Sequence, residues 1–181
     1  MSDSPGIPVA LVNALRDARR VFVLTGAGTS AESGVPTFRD AQSGLWEKYD
    51  PLDLATPEAF LRDPELIWNW YRWRRELVAK AEPNPGHVAL AQLATLVPEL
   101  TLVTQNVDGL NQQAGSCDVF LSIGTSSLVY PAAGLAELAK KAGATVAEIN
   151  PNPTGMAAGF DFVIAGKSGS VLPKLMQRLA S

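Results

Sequence analysis

Cysteine is almost missing from this sequence: Cys117 is the only one, and histidine likewise occurs once, as His87. A lone cysteine excludes a disulfide within the chain and any zinc site built from several cysteines of one chain. Long apolar runs are missing too, none approaching the roughly 20 residues of a membrane-spanning helix. The opening MSDSPGIP has no basic segment followed by an apolar one, so a soluble cytoplasmic protein is expected. Positive charge is not in excess: the net charge of −3 offers no electrostatic footprint for nucleic acid. Internal repeats and low-complexity segments are absent.

What is present suits one domain with a substantial core, since 46% of the 181 residues are apolar and 18% charged. The stretch VFVLTGAGTSAESGVPTFRD, from Val21 to Asp40, reads as a buried parallel strand, a Gly26-Ala27-Gly28 turn and a helix start. Such a unit is a ready anion site, because glycines allow close backbone approach and unpaired N–H groups converge at a helix N-terminus. Alone, Gly-x-Gly-x-x-Ala is a weak signal.

Before it, residues 8–20 space apolar groups at helical intervals and end in cations. Residues 40–57 have no steady period, and a long loop with short helical pieces over the ligand is expected. Residues 64–81 read as a helix with Ile67, Trp70, Trp73 and Leu77 on its core face. PNPGH breaks the chain at 83–87, and a helix follows from His87 to Leu96. Strands are expected at 100–104, 119–123, 144–149 and 162–165, and helices from Pro131 to near Gly143 and over 171–180. Five strands alternating with helices imply a doubly wound α/β fold with a parallel sheet.

Four strands end in polar or glycine-rich tips: Gly26–Ser30, Gln105–Asp108, Gly124–Ser127 and Asn150–Asn152. In a parallel sheet these tips share one edge, where ligands bind at the reversal of strand order. An ordinary dehydrogenase is disfavoured, because no strand ends in an acidic residue roughly 20 positions after the glycines.

GAGTSAESGVPTFRD, DLATPEAF, PNPGH, TQNVDGL, AGS and SIGTSSLVYPAAGL, in that order, resemble the sirtuins, the NAD-dependent protein-lysine deacylases. The resemblance covers nearly the whole chain and implies a single Rossmann-like NAD-binding domain over 1–181, with a cofactor-loop and helical region at about 36–85. By that resemblance Gly26, Ala27 and Gly28 hold the NAD pyrophosphate turn, with Thr29 nearby. Phe38 and Arg39 lie in the cofactor loop near the nicotinamide ribose. Gln105, Asn106 and Asp108 line the ribose and nicotinamide pocket, with Asn106 and Asp108 taking part in catalysis. Gly124, Thr125 and Ser126 contact ribose and phosphates, Asn150 lies at the adenosine end, and Ser168 approaches the adenine. Bland alternatives stand beside these roles: a surface ion pair for Arg39, a helix cap for Ser126 or Asp108. The implied partners are acyl-lysine proteins or peptides, with neither nucleic acid nor membrane.

Tyr71 and Arg74 share a helix face at i and i+3. Tyr-x-x-Arg here resembles the branch that removes acidic acyl groups such as succinyl, where a guanidinium takes a carboxylate bidentately and a phenol adds a hydrogen bond. The alternative is an amphipathic helix with Arg74 in solvent.

The chain also departs from the family. A His-Gly motif carrying the general base, and a zinc module with two cysteine pairs, are expected downstream of the Gln-Asn-x-Asp block. Here the sequence passes directly from Ser116 to Cys117, and Asn111 stands where many relatives have histidine. Either the chain is a minimal core, or a segment between Ser116 and Cys117 lies outside this sequence. His87 matches a helix start in the family and is expected to support that helix. Without a base, a general acid–base contribution of roughly 10²–10⁴-fold is lost. The zinc of the family has no ligands here.

Overall fold

The computed structural model describes residues 6–37, 48–50, 54, 56–104, 115–126 and 134–181. Along them run α1 (Val9–Asp17), β1 (Arg20–Thr25), α2 (Gly28–Ala31), α3 (Pro57–Arg62), α4 (Pro64–Lys80), α5 (Pro85–Leu96) and β2 (Glu99–Thr104). Then follow β3 (Val119–Ile123), α6 (Leu135–Lys141), β4 (Thr145–Asn150), a 3-10 turn at Ala157–Gly159, β5 (Phe162–Ala165) and α7 (Ser168–Ala180). The chain divides into two compact units, residues 1–29 with 83–181, and residues 30–82.

The first unit holds a five-stranded, all-parallel sheet in the order β2-β1-β3-β4-β5. Buried parallel strands need cover on both faces, and the two-residue period sends alternate side chains to each. Val21, Val23, Leu121 and Ile149 pack on one face with Leu93 of α5 and Leu172 of α7. Phe22, Phe120 and Val146 pack on the other with Leu135 and Ala139 of α6. Phe22 and Phe120 are register partners whose rings stack with centroids 5.1 Å apart. Burying each such ring contributes about 1.5–3 kcal/mol. The expected doubly wound α/β core is therefore present.

The second unit has its own small core of Leu54, Ala59, Ile67 and Trp70, against which Trp73 is partly buried. Leu77 is half-buried and outside that cluster, so the apolar stripe of α4 is shorter than its spacing suggests. Thr56 accepts the Ala59 N–H at 3.1 Å and Asp63 accepts the Leu66 N–H at 3.0 Å. Each cap precedes a proline at the first helical position, which fixes where α3 and α4 begin.

Several boundaries differ from expectation; α5, for one, begins at Pro85 rather than His87. The first helix stops at Asp17 rather than near Arg20, because Arg19 and Arg20 donate their N–H groups to Asp118 Oδ2 at 3.0 and 2.8 Å. That contact pulls the chain into β1. The last helix begins at Ser168, since the Lys167 carbonyl accepts from Ser170 and Val171, and Pro173 lies inside it. The helix expected from Pro131 is described from Leu135, with residues 131–133 outside the described set. It ends before Gly143, whose φ is +93°. Most of the loop expected at 40–57 also lies outside the described residues. No helix among the described residues is long and apolar enough to cross a membrane.

Candidate functional site

In this sheet the chain runs from β1 to β2 on one side and reaches β3 on the other, so strand order reverses between β1 and β3. The Gly26–Thr29 turn lies at that reversal, where an open α/β sheet takes its ligand. It is bound tightly to the tip of β3. Gly26 N–H donates to the Ile123 carbonyl at 2.9 Å and Gly28 N–H to the Gly124 carbonyl at 2.8 Å. Thr29 Oγ1 donates to the Ile123 carbonyl at 3.1 Å. From the other side, Gly124 N–H donates to the Ile149 carbonyl at 3.0 Å, and Asn150 Nδ2 to the Thr125 carbonyl at 2.8 Å. The tips of β1, β3 and β4 thus form one hydrogen-bonded ledge.

This packing gives the glycines a reason that the motif alone does not show. A Cβ on Gly26 would lie 2.6 Å from the Gly124 carbonyl oxygen and from Thr125 Cα, and one on Gly28 would lie 2.7 Å from the same oxygen. Gly124 has φ +59°, and a Cβ there would run into the Thr29 nitrogen. The glycines let two backbone turns touch. The N–H groups of Gly26 and Gly28 face β3 carbonyls, and α2 is a single turn with little dipole of its own. Along the ledge Ala27, Gly28, Gly124, Ser126 and Asn150 are half-buried, while Thr29 and Thr125 are buried.

Two further contacts hold the ledge. Asn150 accepts the Gly166 N–H at 3.0 Å, tying β4 to the end of β5. Glu148 is 1% exposed and receives the Thr154 N–H at 3.3 Å from each carboxylate oxygen, closing the turn after Asn150. Ser168 is buried at the start of α7, where its hydroxyl would be 3.0 Å from a Cβ on Gly86. His87 completes a capping box at the start of α5: Asn84 N–H donates to His87 Nδ1 at 3.2 Å. The sole imidazole supports a helix, as expected.

In the second unit, the Arg74 guanidinium lies 5.4 Å from the centre of the Trp70 ring, and Nη2 donates to the Pro36 carbonyl at 3.4 Å. Tyr71 meets the same indole edge-on with centroids 4.8 Å apart. Burial pulls the Arg74 pKa below its usual value, while Tyr71 opposes that shift. Arg74 is therefore a seated, half-buried cation rather than a solvated one.

Phe38, Arg39, Gln105, Asn106 and Asp108 lie outside the described residues. Gly26–Thr29, Gly124–Ser126, Asn150 and Ser168 belong to the sheet unit, and Tyr71 and Arg74 to the other. Among the described residues, no three His, Cys, Asp or Glu side chains are grouped to hold a metal ion. Sequence reasoning overlooked Glu148 and Asn84. Asn-Pro-Gly before an apolar helical run is the cap signal that points to Asn84; Glu148, in a strand, carries no such signal.

The Sir2 family model matches residues 26–119. The chain is 38% identical to an NAD-dependent protein deacylase of Methylococcus capsulatus, with 93% of this chain and 96% of that protein covered. It is also 38% identical to NAD-dependent protein deacylase 2 of Pyrobaculum aerophilum, covering 91% and 93%. The first alignment extends over 244 positions, 63 more than the 181 residues here, so at least that many have no counterpart in this chain. A Sir2 homologue solved as its NAD complex matches with a TM-score of 0.89 at 29% identity, covering 99% of this chain and 96% of that one. A mutant Sir2 homologue bound to 2'-O-acetyl ADP ribose gives 0.89 at 30% identity, covering 96% and 97%.

Proposed function

The chain belongs to the Sir2 family, and on that premise we propose that it holds NAD on the β1, β3 and β4 tips for removal of acyl groups from protein lysines. The observation that carries this reading is the ledge itself. Gly26–Thr29 is locked onto Gly124, and Asn150 onto the Thr125 carbonyl, at the reversal of strand order. The reversal of strand order is where an open α/β sheet takes a dinucleotide. Ala27 and Gly28 border the pyrophosphate, Gly124, Thr125 and Ser126 the ribose and phosphates, and Asn150 and Ser168 the adenosine end. By family resemblance, Phe38, Arg39, Gln105, Asn106 and Asp108 complete the nicotinamide half. NAD supplies, when bound, a ribose carbon that the acyl oxygen attacks as nicotinamide leaves. The task of the protein is to orient the two and keep water out.

The Tyr71–Arg74 pair supports a preference for acidic acyl groups such as succinyl or malonyl over acetyl. A partly desolvated guanidinium, seated on an indole, attracts a carboxylate more strongly than a solvated one does.

A second reading, an NAD- or ADP-ribose-binding core without turnover, is favoured by the capping role of His87. By family resemblance, the base and zinc module would lie between Ser116 and Cys117, in a segment that is either deleted from a minimal core or outside this sequence. One paired experiment separates the readings: calorimetric titration with NAD, and nicotinamide release with acetyl- and succinyl-lysine peptides. Binding with peptide-dependent release supports the deacylase. Binding without release makes this chain a cofactor-binding core, and no binding overturns both.

A further inference from the structure

PNPGH reads in sequence as no more than a helix start. We infer that Asn84 within it is a positioning residue for the cofactor turn, holding the Thr29 carbonyl and through it Gly26–Thr29. This inference rests on the reading of that turn as part of the NAD ledge.

Asn84 Nδ2 donates to the Thr29 carbonyl at 2.8 Å, and the two residues are 6% and 2% exposed. Its Oδ1 accepts the N–H groups of Gly86 at 2.8 Å and His87 at 3.3 Å. One amide therefore does two things: its oxygen caps α5, and its nitrogen reaches a residue 55 positions earlier. The orientation follows from the partners, because the flipped amide would set Oδ1 against a carbonyl and Nδ2 against two N–H groups. Asp, Ser or Thr would also cap a helix. None of them combines that acceptor with an N–H donor.

The surroundings leave Asn84 little freedom. A Cβ on Gly86 would lie 2.9 Å from Asn84 Oδ1 and 3.1 Å from the Gly169 nitrogen, so the starts of α5 and α7 close around this side chain. Thr29 is held at its other polar groups as well, its N–H on the Gly26 carbonyl at 3.0 Å and its hydroxyl on the Ile123 carbonyl. Asn84 supplies the remaining anchor, on the carbonyl. Removing it leaves a buried acceptor without that partner, and the adjoining turn becomes freer to move.

Asn84→Asp separates the two tasks. The carboxylate still caps α5 but offers no N–H to Thr29. Asn84→Ser is the neutral counterpart, a cap too short to reach the carbonyl. Both variants are expected to fold with a lowered melting point, to exchange the Gly28–Ser30 amides faster without ligand, and to bind NAD roughly five- to thirtyfold more weakly. A role limited to capping predicts unchanged exchange and unchanged NAD affinity in folded variants, and that result overturns the inference. Faster exchange with undiminished affinity overturns it too. Wild-type protein that takes up no NAD overturns the cofactor reading instead, while exchange in the free protein still decides whether Asn84 restrains the turn.

Discussion

Replacing Gly124 with alanine probes the ledge where it is tightest. At φ +59° an L side chain costs about 1–2 kcal/mol for conformation alone. The new Cβ would also press on the Thr29 nitrogen and lie 2.8 Å from the Gly28 carbonyl carbon and from Thr29 Oγ1. The backbone cannot simply retreat, because Gly124 is hydrogen-bonded to Gly28 on one side and Ile149 on the other. Overpacking of this kind adds roughly 1–3 kcal/mol. The total of roughly 2–5 kcal/mol corresponds to a melting shift of about 4–20 °C for a chain of this size. Gly143→Ala is the internal control: its φ is +93° but nothing lies within 4 Å of a Cβ, so only the conformational cost applies. Far-UV circular dichroism is the suitable probe, since all four tryptophans lie between positions 46 and 73 and report on the other unit. Equal destabilisation by the two substitutions would refute the close-packing argument.

Three further outcomes follow from single side chains. Arg74→Met should weaken processing or binding of succinyl-lysine peptide by about 10- to 150-fold, the worth of a charged hydrogen bond, and spare acetyl-lysine; equal losses would refute the acidic-acyl assignment. At Asp161, burial raises the carboxyl pKa, but the Val146 N–H and the Lys140 ammonium, each at 2.9 Å, outweigh it and lower the pKa overall. A depressed folded value stabilises above the unfolded pKa of about 3.9 and loses that contribution as pH falls through the folded value. The stability gap between wild type and Asp161→Asn should therefore shrink below about pH 4, and a gap that widens in acid contradicts the sign. Burial pushes the Cys117 thiol up to about 11, so a thiol reagent at pH 8 should label it slowly in the native protein and rapidly in denaturant; comparable rates would show that it is not buried.

Local signals made much of the sheet legible. Val119–Ile123 and Phe162–Ala165 coincide with their expected strands because short apolar runs between turn residues leave little choice. Boundaries governed by distant partners were not legible. The end of α1 depends on Asp118, about a hundred residues later, and no window around Asp17 contains that information. At the site, the glycine turn and the tips of β3 and β4 could be named from their residues, but not the contact between Gly26 and Gly124 that requires the glycines. Tyr71 and Arg74 could be placed on one helix face; that both meet Trp70 depends on side-chain packing. The bond from Asn84 to Thr29 joins two local motifs that each read as complete.

Hydrogen exchange of the 181-residue chain with and without saturating NAD reads the strand tips themselves. If NAD sits on the ledge, exchange slows at Ala27–Ser30, Gly124–Ser126 and around Asn150, with little change in β2 or along the length of α6. Saturable binding that protects other segments and leaves these three tips unchanged would contradict that placement.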